Sequence, residues 1–295
     1  MSIKSSLLLI VLAALWGGSF AFMRYAVAAL GPLPLAFARV TLAATVLLLV
    51  AVAQRRKLDL ASRWRGLAVV GIVNSAIPFV LFCYAEQYIT ASTGAVLNAT
   101  SPFFGAVCAA IWLGEPLTTR KIGGMALGLA GVAVLVGWHP EAINAQTAMA
   151  IAACLAASLC YGLGGVYAKR RMQGVLSFDL ALGSQAAAAM ALVFFVPAAT
   201  IPGPVTYLVI ANVLGLAIAS TAVAYVIYFK LIADLGPARA LTVTFLIPLF
   251  GVLWGALFLG EAVTPALVTG GVLIVAGTVL TLRGGRPRGV VSPAP

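Results

Sequence analysis

Asn98-Ala-Thr-Ser-Pro102-Phe-Phe-Gly105, running on into Leu113-Gly-Glu115-Pro-Leu-Thr118, returns 146 residues later as Thr244-Phe-Leu-Ile-Pro248-Leu-Phe-Gly251 and Leu259-Gly-Glu261-Ala-Val-Thr264. From Pro102 to Gly131, aligned without gaps on Pro248 to Gly277, twelve positions are identical. They include the proline, the Leu-Gly-Glu triplet, the threonine, and the pairs Gly124/Gly270 and Gly131/Gly277. Chance matches of Leu and Ala are common between apolar sequences, but matches of these residue types are not. The chain reads as two copies of one unit, residues 1–140 and 141–283, followed by a Gly-, Pro- and Arg-rich tail, 284–295, expected to be disordered.

With 63% hydrophobic and 8% charged residues and a mean hydropathy of +1.11, the chain has too little polar surface to cover a soluble globule, and reads as an integral membrane protein. Its apolar start, Leu7 through Trp16 to Leu30, is long enough to span a bilayer and shows no small-residue cleavage pattern, so it reads as a first span. The net charge of +11 is concentrated in connectors, which ties it to topology and not to a nucleic-acid partner. Cys83, Cys108, Cys154 and Cys160 lie in apolar runs without Cys-x-x-Cys spacing and read as small buried hydrophobes. The one histidine, His139, stands beside Pro140 in a loop, so no metal and no cofactor is expected.

A crossing needs about 20 residues. That length gives ten spans, near Ser5–Leu30, Pro32–Ala53, Arg65–Tyr88, Ala91–Leu113, Arg120–Trp138, Gln146–Ala168, Leu176–Ala198, Pro204–Ala233, Ala238–Leu259 and Pro265–Leu282. With the N-terminus in the cytoplasm, sixteen of the eighteen basic residues fall on the cytoplasmic side. Arg24 and Arg39 lie within spans, and the outer loops carry none. Both termini are therefore expected inside, in the cytoplasmic (inner) membrane. Five spans per copy is an odd number, so the second copy runs inverted, as in secondary transporters whose site lies near the midplane between the halves. The repeat extends upstream: Trp16 through Arg24 pairs with Tyr161 through Lys169, Asn74 stands opposite Ser220, and Phe79 opposite Tyr225.

Proline lacks an amide proton and clashes with the carbonyl four residues back. Pro102 thus frees the carbonyl of Asn98, Pro248 that of Thr244, and Pro78 that of Asn74. Such kinks face protein or a wet cavity. Gly94, Asn98, Pro102 and Gly105 share one face of the fourth span, which suits either close helix approach or a ligand. Trp16, Ser19, Phe20 and Met23 share a face of the first span, with Tyr161 as the repeat mate of Trp16. A wall of rings with a few amides and hydroxyls suits a small, partly apolar or aromatic solute, while the same rings could equally fill core or lipid-facing volume. The candidate substrate-binding set is Trp16, Ser19, Phe20, Asn74, Pro78, Phe79, Asn98, Pro102, Tyr161, Tyr225, Thr244 and Pro248. No carboxylate falls mid-span: Asp59, Glu115, Asp179 and Asp234 fall at the inner edge, and Glu86, Glu141 and Glu261 near the outer, which disfavours a buried-acid proton relay. Arg39 is the one candidate functional charge, with snorkelling or a structural pair as its other reading. Glu115 and Glu261, each three residues before a threonine, read as helix-start elements. The glycines from Gly123 to Gly131 and from Gly270 to Gly277 suit packing against other spans or a dimer.

Trp16-Gly-x-x-Phe20, Pro34 with Arg39, and the repeated Pro-x-x-Gly and Leu-Gly-Glu signatures resemble the drug/metabolite transporter superfamily, in particular its ten-helix EamA-type exporters. Within it the chain is similar to YddG-type amino-acid exporters. The resemblance implies eight helices in a basket around a central cavity, the fifth and tenth outside, and alternating access between the two faces. The chain departs from its own symmetry at Tyr161, which replaces the tryptophan, and in lacking a second-half mate of Pro78, so an asymmetric site is expected. The acidic first-helix residue of the small four-helix relatives is missing here.

The expectation is an all-α transporter exporting small organic solutes, amino acids including aromatic ones, with the bilayer and the solute as partners, working as a monomer or weak homodimer. A proton-coupled exporter of drugs or other metabolites is the alternative. A membrane-embedded enzyme would need a nucleophile with a base, or metal ligands, at depth, and the scarcity of His, Asp and Glu within spans argues against it.

Overall fold

The computed structural model describes residues 3–137, 144–235 and 241–283. His139, Glu141, residues 236–240 at the start of the ninth expected span, and the 284–295 tail lie outside the described residues. Helix is the regular secondary structure of the described residues, and no strand occurs among them. Its elements are α1 (Ile3–Leu30), α2 (Pro32–Ala53), α3 (Trp64–Gly71), a π segment (Ile72–Ala76), α4 (Ile77–Ala85), α5 (Ala91–Asn98), α6 (Ser101–Leu113), α7 (Thr119–Gly137), α8 (Ala145–Arg171), α9 (Ser177–Val193), α10 (Tyr207–Leu214), a longer π segment (Gly215–Val223), α11 (Ala224–Leu235), a 3-10 turn (Leu241–Phe245), α12 (Ile247–Leu259) and α13 (Pro265–Arg283). Seven continuous helical runs are long and apolar enough to cross a membrane, and two shorter apolar helices accompany them.

The surface is inverted relative to a soluble protein. Leu49, Val52, Ile111, Leu257 and Phe258 are exposed, while Arg39, Ser75, Glu86, Gln185 and Thr221 are buried. An outside this apolar suits lipid, and the inside carries the polar chemistry.

Boundaries follow local chemistry. Gly31, at φ 75°, turns the chain between α1 and α2 where a β-carbon would be strained, and Pro32 opens α2. Thr90, Asn144 and Thr206 cap α5, α8 and α10, each accepting from the amide three residues on. Gly114 (φ 66°) and Gly260 (φ 65°) end α6 and α12 in the left-handed conformation, and the amides of Glu115 and Glu261 reach back six residues to the carbonyls of Ala109 and Gly255. The Leu-Gly-Glu triplet is thus a helix stop. The helix starts belong to the threonines: Thr118 accepts from the Lys121 amide at 3.3 Å and Thr264 from the Leu267 amide at 3.2 Å.

The two copies interlock. α1 packs on α12 of the other copy, and α8 packs on α6. The contacts are glycine on glycine: a β-carbon at Gly17 would fall 2.8 Å from the Gly251 nitrogen, and one at Gly162 would fall 2.7 Å from the Gly105 nitrogen. The glycine faces of the broken helices therefore serve close approach. α7 and α13 pair with each other along their glycines: a β-carbon at Gly131 would lie 2.7 Å from the Gly270 carbonyl oxygen, and one at Gly124 2.6 Å from that of Gly277. The partner of these two faces is within the same chain.

Candidate functional site

Two strings of rings run through the interior. Trp16 on α1 meets Tyr225 edge-on at 6.3 Å and Tyr228 at 5.2 Å, both on α11. One turn along α1, Phe20 stands edge-on to Phe82 of α4 at 5.5 Å, and Phe82 stacks on Tyr161 of α8 at 6.0 Å. Trp16, Phe20, Tyr161 and Tyr225, four of the expected residues, are brought together, and each string draws rings from both copies. Phe82 escaped the sequence reading although it follows the expected Phe79 at helical spacing. Ser19 shares the face, but its hydroxyl donates to the Trp16 carbonyl at 2.6 Å, within its own helix.

Beside the rings lies a buried polar cluster around Arg39, the charge singled out in the sequence, whose other members Thr221, Ser75 and Gln185 lie outside the candidate set. Arg39 of α2 donates through Nε to Thr221 Oγ1 at 3.1 Å and through Nη1 to Met23 Sδ at 3.5 Å, and its guanidinium lies 3.7 Å from the centroid of the Phe79 ring. Tyr161, Tyr225 and Cys83 are its electrostatic neighbours. The Tyr225 hydroxyl bonds with Ser75 and Gln185, and Gln185 Nε2 donates to Ser75 Oγ at 3.0 Å. Gln185 Oε1 and Ser220 Oγ are buried without a hydrogen-bond partner among the described residues. Gln185 carried one signal in the sequence, an amide in an otherwise apolar run.

The cluster sits where both copies leave α-helical geometry. Ser75 belongs to the π segment 72–76, just before Pro78, and Thr221 belongs to the π segment 215–223 at the corresponding place. A π turn widens the helix and redirects its carbonyls, a deviation found often at functional sites. Thr221 Oγ1 also donates to the Leu216 carbonyl five residues back. The second copy thus deviates without the proline that kinks the first. Asn74, half-buried, packs on Gly164 of α8, where a β-carbon would lie 2.9 Å from its Oδ1.

The Pro102 break separates α5 from α6, and its carbonyls are satisfied. Ser101 Oγ donates to the Asn98 carbonyl at 2.7 Å, Thr100 Oγ1 to that of Leu97 at 2.7 Å, and Thr278 of α13 to that of Ala99 at 2.8 Å. At the second break Thr244 lies in the 3-10 turn and Pro248 is buried as the second residue of α12. Asn98, Pro102, Thr244 and Pro248 therefore form the interlocked breaks, with α5 of the first copy packed on α12 of the second.

The acids at the ends divide sharply. Glu261 Oε1 accepts from the Ala91 amide at 2.7 Å, and Oε2 accepts from the Ser92 amide at 2.9 Å and from Ser92 Oγ at 2.5 Å, so it caps α5 from the other copy. Glu115 accepts from Lys169 Nζ at 2.9 Å and lies 3.6 Å from Lys121 Nζ. The bond to Lys169 holds its carboxyl below the usual glutamate range. Glu86, expected near the outer edge, is fully buried, and neither carboxylate oxygen has a hydrogen-bond partner among the described residues. Arg24 donates instead to its backbone carbonyl. Glu86 directly follows the last residue of α4, and its carboxylate lies against Gly94 of α5 near Glu261.

Residues 3–137 and 148–283 each match the EamA-like transporter family. The chain belongs to that family. Similar proteins are named as transporters: the uncharacterized transporter YvbV of Bacillus subtilis is 27% identical, over 94% of this chain and 91% of its own. A probable terminal-alkyne amino-acid exporter of Streptantibioticus cattleyicolor is 26% identical, over 91% and 90%. A probable amino-acid metabolite efflux pump of Escherichia coli is 26% identical, over 99% of each chain. One solved crystal structure, 19% identical, superposes with a TM-score of 0.66 over 95% of this chain and 96% of its own, a likeness of fold. This EamA-family protein is a multi-pass membrane transporter of small solutes and not an enzyme.

Proposed function

We propose that the protein exports small organic solutes, amino acids including aromatic ones, by alternating access through the interior between its two copies. The observation that carries this reading is the pair of ring strings, Trp16 with Tyr225 and Tyr228, and Phe20 with Phe82 and Tyr161, each built from both copies around buried hydrogen-bonding groups. A motion of one group of helices against the other, about the breaks at Pro102 and Pro248, opens and closes a site so built. Two relatives named for amino-acid export support the substrate class. In this reading the helical elements make ten spans in two inverted sets of five, divided near residue 140, with both termini cytoplasmic by the positive-inside rule. The working unit is a monomer or weak homodimer.

The test is flux of an amino-acid panel through the purified protein in liposomes, with and without a pH gradient. Trp16→Ala and Asn98→Ala are each expected to depress transport at least tenfold while the protein stays folded by thermal melt. Unchanged transport in both removes these residues from the path, and no flux of any amino acid overturns the substrate class. A proton-coupled reading is favoured by one observation, the buried and unpartnered carboxylate of Glu86. Under it, Glu86→Gln keeps downhill flux and loses the response to the pH gradient. Under the uncoupled reading neither protein responds.

A further inference from the structure

We infer that Arg39 and Gln185 together recognise a zwitterion, the guanidinium taking the carboxylate of the solute and Gln185 Oε1 its ammonium. The inference rests on the exporter reading above and names the chemical class that the site selects.

Arg39 is eighth in α2, about 10 Å along the helix axis from its start, and 5% exposed. A cation there has left bulk water, at a cost that only a charge partner or a full set of hydrogen bonds offsets. It has neither. Among the described residues no carboxylate pairs with it. Of its five N–H groups, one reaches a hydroxyl, one reaches a thioether, which is a weak acceptor, and one face of the guanidinium is covered by the Phe79 ring. Three donors remain, one on Nη1 and two on Nη2, the two nitrogens through which an arginine can bind a carboxylate end-on.

Tyr225 links this cation to the second group. It neighbours Arg39 and bonds with Ser75 and Gln185. The Gln185 amide nitrogen is committed to Ser75, which turns Oε1 away from that bond, 0% exposed and unpaired. A buried carbonyl oxygen without a donor is as costly as a missing hydrogen bond, and an ammonium supplies that donor. An unpaired cation and an unpaired acceptor joined through one tyrosine match the two ends of an α-amino acid. The ring strings beside them accept its side chain.

The experiment is counterflow of labelled L-phenylalanine in liposomes containing the full chain, against unlabelled competitors. These are L-phenylalanine, L-phenylalaninamide, which lacks the carboxylate, and 3-phenylpropionate, which lacks the ammonium. In the unaltered protein phenylalanine is expected to compete at least tenfold better than either analogue. Arg39→Gln is expected to raise its half-saturating concentration at least tenfold and to erase the preference over the amide, with Arg39→Lys retaining part of it. Gln185→Met is expected to flatten only the preference over 3-phenylpropionate. A merely structural Arg39 would lower all flux and leave the ratios unchanged. Equal competition by the amide in the unaltered protein, or unchanged ratios in Arg39→Gln while phenylalanine still moves, overturns the inference and leaves the exporter reading standing. Absence of flux of every amino acid of the panel in the unaltered protein overturns both, and if another amino acid moves where phenylalanine does not, the same competition is run with its amide and its desamino acid. If Arg39→Gln does not fold, the competitor series on the unaltered protein and Arg39→Lys decide the matter.

Discussion

Pro102-Phe-Phe-Gly105 and Pro248-Leu-Phe-Gly251 hold nearly the same letters in the two copies, yet their surroundings differ at every step. At the first break Thr100 and Ser101 satisfy the opened carbonyls with their own hydroxyls, while the matching positions of the second copy are Leu246 and Ile247. Gly105 has open room on its β-carbon side, with Gly162 Cα at 3.9 Å the nearest atom, whereas at Gly251 the Cβ of Ala95 stands in the way. Glu261 caps a helix of the other copy through two backbone amides, and its mate Glu115 meets two lysines at a partly exposed end. The duplicated letters fix the same backbone events, a break and a left-handed stop, and the neighbours decide what each copy holds together.

The comparison breaks most visibly at the glycines. Gly251→Ala is expected to drive α12 away from α5 and α1, an overpacking cost of about 3 kcal/mol read as a large fall in melting temperature in detergent. Gly105→Ala is expected to be tolerated, because 3.9 Å is ordinary contact. Equal melting shifts in the two variants would show that the asymmetry in packing carries no energy.

The next effect is at the cap. Glu261→Ala leaves the Ala91 and Ser92 amides without their acceptor at the first turn of α5, a loss of about 2 kcal/mol. Glu261→Gln, which can still accept one bond, is expected to lose about half of it. A melt that does not distinguish Glu261→Ala from the unaltered protein would mean that water serves α5 equally well.

This contrast also separates what was legible in the sequence from what was not. The breaks at Pro102 and Pro248 could be read because proline acts on the carbonyl four residues back, and the close approach at Gly105 because glycine shares the face of the break. Trp16 and Phe20 could be grouped because they share a face of the first span, Tyr161 because it is the repeat mate of Trp16, and Tyr225 because it is that of Phe79. The π segment at 215–223 has no proline and left no local trace. The partner of Glu261 stands about 170 residues away in the chain, so its role looked like a start signal for its own helix. The burial of Glu86 depends on Gly94 of α5 lying against its carboxylate, a contact that hydrophobic length does not report. Gln185 and Ser75 could have been singled out as polar groups in apolar runs, but their meeting with each other and with Tyr225 depends on the 72–76 π segment, α9 and α11 converging, which only packing determines.

The smallest effect belongs to Glu115 and carries a pH signature. Its carboxyl is held below the usual range first by the Lys169 hydrogen bond and then by the charges of Lys169 and Lys121. A depressed folded value means that the unfolded chain binds the proton more readily, so the contribution is present in full above the ordinary glutamate value of about 4.3 and is lost as pH falls through the lowered folded value. With 38% of the glutamate side chain and 67% of the Lys169 side chain exposed, water and salt screen the pair, and the contribution is a few tenths of a kcal/mol. Glu115→Gln is therefore expected to melt nearly with the unaltered protein at pH 7, and the remaining difference is expected to close as the pH is taken below about 4 or the salt is raised. A Glu115→Gln defect as large as that of Glu261→Ala, unmoved by pH and salt, would mean that the two glutamates do the same work and that the asymmetry between the ends is confined to geometry.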